Sequence, residues 1–214
     1  MSMLRSSILS TAAMLLATTA APAATMTFAS LPDEGAQLLS YSENGIKAED
    51  IESIEIISSP FTIKNVGVIF EPADILEAHF STAFGCAVRL FRGGNGVYDY
   101  KSEDLKDPRF LDIARRVKCT PDDAMEEERI RYNSRPATAK VVTKDGKSFE
   151  KYVQFCRGTP RNPASDDELA AKFTNAVAPR LGDARAAQIV DRVMNFEKLE
   201  DVGELIRLTV KGGH

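Results

Sequence analysis

The residues best suited to proton transfer are His79 and its neighbours in a stretch with helical spacing. His79 is one of only two histidines in the chain, and Ser81 stands two positions after it. An imidazole at the edge of a cleft can act as an acid, a base or a donor to an anion. The alternative is a histidine on the flank of a helix whose ring is satisfied by neighbouring groups. The sequence leaves both interpretations open.

Two arginines, Arg157 and Arg161, lie at a proline-rich turn, with Pro160 between them and Pro163 just after. A guanidinium group offers paired donors that match a carboxylate, so these arginines are candidates for binding an acid. Arginines are also common on solvated surfaces, and that is the alternative.

Composition argues against several kinds of site. The cysteines Cys86, Cys119 and Cys156 are odd in number and widely spaced, so they form neither a disulfide framework nor a metal-binding CxxC pair. With only two histidines, we expect no metal site, and no cofactor is implied. Apolar residues make up 43% of the 214 residues and the net charge is -4, which indicates a globular chain without a nucleic-acid-binding surface.

The elements that would position these residues begin with β-branched and helical patterns. We predict a strand over residues 51–57, a second short strand over 66–70, a helix over 73–92 that ends at Gly93, and a helix over 107–116. The mixed charges of residues 122–131 suggest a solvated connection. The clearest local signal is a β-hairpin that turns at Asp145-Gly146.

The remaining chain is predicted to be helical. Ser165 and Glu168 fit a capping box that opens a helix through Leu169, Phe173 and Val177. Two further helices are predicted over residues 183–196 and 200–209. Strands that come first and helices that come last indicate an α+β fold: a small domain with strands, a hairpin and helices, followed by C-terminal helices.

The first 32 residues differ from the rest, because they carry a single charge before Asp33, Arg5, and many small residues. Residues 1–24 resemble a secretory signal peptide, and a mitochondrial transit peptide or an ordinary helix are the alternatives. The apolar stretch is too short and threonine-rich for a membrane span. The unpaired cysteines favour a reducing compartment, cytoplasmic or mitochondrial.

The segment after the hairpin carries the most specific resemblance to a known family. Its residues Gly158, Pro160, Asn162-Pro163, Ser165 and Lys172-Phe173 are similar to a pattern in MmgE/PrpD proteins, the family of 2-methylcitrate dehydratase and cis-aconitate decarboxylase. Four further stretches resemble the same family in order: Gly45 to Ile54, Ala78 to Phe84, Asp107 to Val117, and Leu199 to Val202. The resemblance covers residues from about 45 to 210, which is the C-terminal part of a family member.

The resemblance implies an architecture and a reaction. Residues 33–160 would form the family's lid-like α+β domain, and residues 161–214 would be helices that pack on a large helical domain. Family members remove water from 2-methylcitrate or act on similar acids, without a cofactor, and draw most catalytic groups from the large domain. The substrate would be a small carboxylic acid, and the partner a second copy or a chain that supplies the large domain.

The same comparison assigns roles to single residues and reveals two departures. Ser81 would contact a substrate carboxylate when the lid closes, or else cap its own helix; Lys172 would pair with a carboxylate, or else be solvated. The segment expected to hold a family histidine reads Ser30 to Glu34, and a family tyrosine is replaced by Phe84. Phenylalanine cannot transfer a proton, so the resemblance predicts a weak or inactive lyase when the chain is alone. A non-catalytic binding or dimerisation module, or a secreted protein with an unrelated role, are the alternatives.

Overall fold

The structure, a computed structural model, describes residues 46–210. The predictions for the leader-like segment, for the residues 30–34 that lack a histidine, and for residues 33–44 lie outside the described residues. The strands are β1 (Ile51–Ser58), β2 (Val117–Pro121), β3 (Ala137–Thr143) and β4 (Ser148–Val153). The α-helices are α1 (Pro60–Val66), α2 (Ile75–His79), α3 (Thr82–Arg92), α4 (Pro108–Arg115), α5 (Asp123–Tyr132), α6 (Asp166–Leu181), α7 (Asp183–Met194) and α8 (Val202–Thr209).

The four strands form one mixed sheet in the order β2-β1-β3-β4. The central strand β1 runs parallel to β2 and antiparallel to β3, so that Ile54 faces both Val117 and Val141 across the sheet. β3 and β4 form the predicted hairpin, and Gly146 adopts a positive φ of 83° in its turn. Such a φ is strained for residues with a Cβ, which explains the glycine. The predicted hairpin and the α+β fold class are confirmed.

One face of the sheet carries the core, and α3 and α4 cover it. Alternate residues of β1, Ile54 and Ile56, are buried, as the two-residue period of a strand requires. From the helices, Phe84 and Phe110 complete this core with ring centroids 5.8 Å apart. The opposite face of the sheet is polar: the Thr120 hydroxyl donates to the Glu55 carboxylate at 2.7 Å. This contrast between the faces fixes which side of the sheet receives α3.

The helix predicted over residues 73–92 is two helices in the structure, so the prediction of one helix is wrong. α2 ends at His79, the backbone of Ser81 is extended (φ -103°, ψ 106°), and α3 begins at Thr82. The apolar spacing continues across this break because Ala78 and Ala83, on either side, both pack in the core. A periodic pattern therefore concealed a change in backbone direction. The predicted stop at Gly93 is confirmed by its left-handed φ of 76°.

The second predicted strand, over residues 66–70, is also wrong. Val66 is the last residue of α1, which begins after Ser59 with Pro60 in its first turn. The Ser59 hydroxyl accepts a hydrogen bond from the Thr62 backbone at 3.2 Å, a cap that stabilises the helix start. A short apolar run does not distinguish a strand from a helix end, and here the capped helix is the outcome.

Besides α1, two elements were not expected, β2 and α5. The segment 122–131, predicted to be a connection, is mostly helical: the Asp122 carboxylate caps α5 by accepting from Ala124 at 2.8 Å, and Asn133 ends it with a φ of 48°. Of the residues that the structure describes in α5, Met125 alone is buried. The helix therefore lacks the stripe of apolar residues from which a helix is predicted. The short strand β2 forms because it pairs with β1, more than 60 residues away.

The C-terminal helices agree with the prediction. Ser165 and Glu168 form the predicted capping box at the start of α6, and α7 packs against both α6 and α8. Within residues 46–210, no helix combines the length and apolar character needed to cross a membrane.

Candidate functional site

His79 lies at the junction of α2 and α3, where its ring stacks on that of Tyr100. The two ring centroids are 4.1 Å apart and the planes are tilted by 37°. Partial burial lowers the pKa of His79 below its ordinary value of 6.5, because the apolar surroundings disfavour the charged form. The imidazole is therefore predominantly neutral at pH 7, and a neutral ring can accept a proton.

Tyr100 belongs to the loop that follows α3, and it is buried against that helix. A Cβ atom placed on Gly85 would lie 3.2 Å from the Tyr100 hydroxyl oxygen, so the glycine provides the space for the phenol. Tyr100 was not among the site residues predicted from the sequence. A glycine in the interior of a predicted helix is a signal that something packs closely there, and it was the available clue.

Asn95 holds the same loop against α3. Its side chain is buried. With the amide oriented so that both its oxygen and its nitrogen have suitable partners, the nitrogen donates to the carbonyl oxygens of Gly85 and Gly94, each at 3.1 Å. The glycine-rich segment after α3 is thus folded back along the helix. This arrangement brings His79, Tyr100, Asn95 and the Gly85 backbone together in what we call the α3 cluster.

Ser81 lies next to the α3 cluster, but its hydroxyl has two structural partners. It accepts a hydrogen bond from the Phe84 backbone at 2.9 Å as the N-cap of α3. It also donates to the Ile69 carbonyl at 2.5 Å, and the residue is fully buried. The structure therefore gives Ser81 the capping role, whereas a contact with a substrate stays a prediction.

Phe84, at the position where the resemblance implies a tyrosine, is a core residue. Its side chain is fully buried between the sheet and the helices. Phenylalanine cannot carry a proton, and the phenol that packs on α3 is that of Tyr100, which belongs to the loop after the helix.

Two of the predicted carboxylate-binding cations, Arg157 and Arg161, lie at the turn between β4 and α6. Nε of Arg157 donates to the Glu168 carboxylate at 2.9 Å, and its Nη1 donates to Asn162 at 2.9 Å. This bond to Arg157 is the main cause that lowers the pKa of Glu168 to about 2. Arg157 therefore already binds a carboxylate, and a substrate would have to displace it.

Arg161 and Lys172 have different surroundings. The Arg161 guanidinium is exposed and lies over the rings of Tyr132 and Phe155, 5.1 Å from each centroid. Lys172 is partly buried in the second turn of α6. A hydrogen bond from the Tyr98 hydroxyl to the Ala176 carbonyl, 3.2 Å long, joins α6 to the loop that carries Tyr100. This contact places the helix of Lys172 beside that loop, while Arg161 lies near the end of α5.

Comparison with known proteins identifies the family. The model of the MmgE/PrpD C-terminal domain matches residues 35–196, which is most of the chain. A search of curated proteins found no match. Because the family model spans well over half of the sequence, the chain belongs to the MmgE/PrpD family through its C-terminal domain, as the resemblance predicted.

Proposed function

We propose that this chain is the lid-like part of a carbon–oxygen lyase that removes water from 2-methylcitrate or a related carboxylic acid. The observation that carries the proposal is the family match over residues 35–196. In this proposal residues 33–160 form the lid-like domain, and residues 161–214 pack on a helical domain supplied by the same polypeptide or by another chain. The chain alone is weakly active or inactive.

The chemistry sets what the lid must contribute. Elimination of water breaks a C–H bond beside a carboxylate and a C–O bond, so it requires a base, an acid and fixed donors for the carboxylates. His79 is the candidate proton carrier of the described residues, because its imidazole is neutral and stacks on a phenol. The remaining catalytic groups belong to the helical domain.

Cations on the lid would bind the carboxylates of the acid. Arg157, Arg161 and Lys172 are the candidates, and Arg157 would have to exchange its bonds to Glu168 and Asn162 for bonds to the substrate. Ser81 supports the site by fixing the start of α3, the helix against which Tyr100 packs.

The test is a measurement of product by NMR. The purified chain is incubated with 2-methylcitrate, alone and together with the helical domain of a family member, and formation of the unsaturated acid is followed. We expect weak or no product alone and product in the mixture. His79→Gln should reduce the rate in the mixture, whereas the same exchange at His214 should leave it unchanged. No product in the mixture, under conditions where the intact family member is active, would refute the proposal.

A second candidate function is that of a non-catalytic binding or dimerisation module. The observation that favours it is the set of large apolar side chains that the C-terminal helices leave exposed: Leu169, Val193, Met194, Phe196, Val202 and Ile206, each at least 44% exposed. Exposed apolar surface of this kind is typical of surfaces that bind a partner.

Sedimentation velocity tests this second function. A module of this kind should sediment as a dimer, and Ile206→Lys, an exchange at a 58% exposed position of α8, should give the monomer. The exchange Ile130→Lys serves as a control, because Ile130 is also exposed, at 69%, but lies on α5. A stable monomer at all concentrations would exclude dimerisation through these helices.

A further inference from the structure

Arg89 is a buried cation whose charge is not balanced within the described residues. It lies on α3 and is 9% exposed. Its Nε is buried without a hydrogen-bond partner. Among residues 46–210 no carboxylate lies within ion-pair distance of its guanidinium. A buried guanidinium without a counter-charge is costly, so an anion is expected to accompany it.

The nearest acids along the chain are already engaged. Three residues after Arg89, the Arg92 guanidinium binds Asp104 with two hydrogen bonds of 3.1 and 2.6 Å. Asp99 accepts a hydrogen bond from the Gly96 backbone at 2.6 Å. Two arginines on one helix thus differ sharply: Arg92 has its carboxylate within the fold, and Arg89 does not. The missing partner of Arg89 must be supplied from elsewhere.

The position of Arg89 on α3 indicates that its side chain points toward the α3 cluster. Arg89 follows Gly85 by four residues, so both lie on one face of the helix. Helical side chains lean toward the N-terminus of their helix, which for Arg89 is the direction of Gly85 and the Tyr100 hydroxyl beside it. The side chains of the cluster are a phenol, an amide and a predominantly neutral imidazole. None of these brings a negative charge that would compete with an anion.

We propose that Arg89 binds one carboxylate of the small-acid substrate, with the polar groups of the α3 cluster around it. A guanidinium matches a carboxylate because it can donate two parallel hydrogen bonds. The identity of the acid rests on the proposed lyase function, whereas the need for an anion rests on Arg89 itself. A carboxylate of the chain outside residues 46–210 has the same chemistry, and the experiment separates the two sources.

The experiment measures binding of citrate, as a tricarboxylate probe, to the full chain by calorimetry and by NMR titration. Wild type is compared with Arg89→Met, and with Arg180→Met as a control at an exposed arginine of α6. We expect citrate to bind wild type and the control with equal affinity. Binding to Arg89→Met should be weaker by a factor of roughly 30 or more, the loss typical when one partner of a buried charge pair is removed. Arg89→Lys keeps the charge without the paired donors and should bind with intermediate affinity, which preserves the test if the methionine variant does not fold.

Melting temperatures without citrate identify the source of the anion. If the carboxylate comes from the substrate, Arg89→Met should melt at the same temperature as wild type or higher, because an uncompensated charge has been removed. A lower melting temperature together with no citrate binding by wild type would assign the counter-charge to the chain itself and overturn the proposal. Citrate binding of equal strength in wild type and Arg89→Met would also overturn it. Since binding is measured without turnover, a chain that binds citrate but is not a lyase would refute only the proposed function.

Discussion

The exchange Ser81→Ala distinguishes a structural serine from one that serves the substrate. The Ser81 hydroxyl joins α3 to the segment that precedes α2: it caps α3 through the Phe84 backbone and donates to the Ile69 carbonyl, 12 residues earlier. Alanine removes both hydrogen bonds at a fully buried position. Water cannot replace them there without entering the fold.

The size of the effect follows from these two bonds. Loss of an N-cap costs about 1 kcal/mol, and leaving the partly buried Ile69 carbonyl without its donor costs about 1–3 kcal/mol. We therefore expect Ser81→Ala to lower the free energy of unfolding by about 2–4 kcal/mol. Ser165→Ala is the matched control: Ser165 caps α6 in the same way, but it is exposed, so its loss should cost only about 1 kcal/mol.

The assay is urea unfolding followed by far-ultraviolet circular dichroism, since the chain has no tryptophan for fluorescence. A loss for Ser81→Ala no larger than for Ser165→Ala would refute the argument from buried hydrogen bonds. If Ser81 also contacts the substrate, Ser81→Ala should lower the rate of product formation in the mixture with the helical domain. The rate should fall even at a temperature where wild type and Ser81→Ala are both folded, so that unfolding does not explain the loss.

Three further predictions concern acid, thiols and the core. The pKa of Glu168 is lowered to about 2, chiefly by the hydrogen bond from Arg157, so its stabilising effect is full above its ordinary pKa of 4.5 and is lost as the pH falls toward 2. The difference in melting temperature between wild type and Arg157→Gln should therefore shrink over this range, and a constant difference would contradict it. Burial raises the pKa of Cys86, so in the native protein Cys86 should react with a thiol reagent far more slowly than Cys156. After unfolding, both thiols should react rapidly. Mass spectrometry of the labelled protein measures both rates. Phe110→Ala should lower the free energy of unfolding in urea by about 3–5 kcal/mol, because the ring is 1% exposed in the core; a loss below 1 kcal/mol would mean that the cavity collapses.

Local signals predicted the elements that local contacts stabilise. The turn at Asp145-Gly146 and the capping box of Ser165 and Glu168 were both correct, because each depends on residues close together in the chain. The central strand β1 was predicted from its isoleucines, whose branched side chains suit a buried strand.

The errors arose where long-range pairing or capping decided the structure. The strand β2 is five residues long and exists through its pairing with β1. The helix α5 has caps at both ends but buries little apolar surface, so its periodicity is weak. The break at Ser81 was hidden because residues on both sides pack in the same core.

The site was predicted only in part. His79 and Ser81 were selected by residue type, and the structure places both near the start of α3. Tyr100 and Arg89 were not selected, since their importance depends on what surrounds them. A phenol in a loop and an arginine in a helix are ordinary in sequence, and become informative once the structure shows that both are buried.

By itself, the sequence determined the family, the α+β class, the hairpin and the capped C-terminal helices, because these features depend on residue order and on contacts between near neighbours. The tertiary structure alone decided that the loop after α3 folds back over Gly85 and brings Tyr100 against His79. It also decided that Arg89, on α3, is buried. The physical reason is that burial, and with it the need of a charge for a partner, is a property of the packed chain and not of the residue.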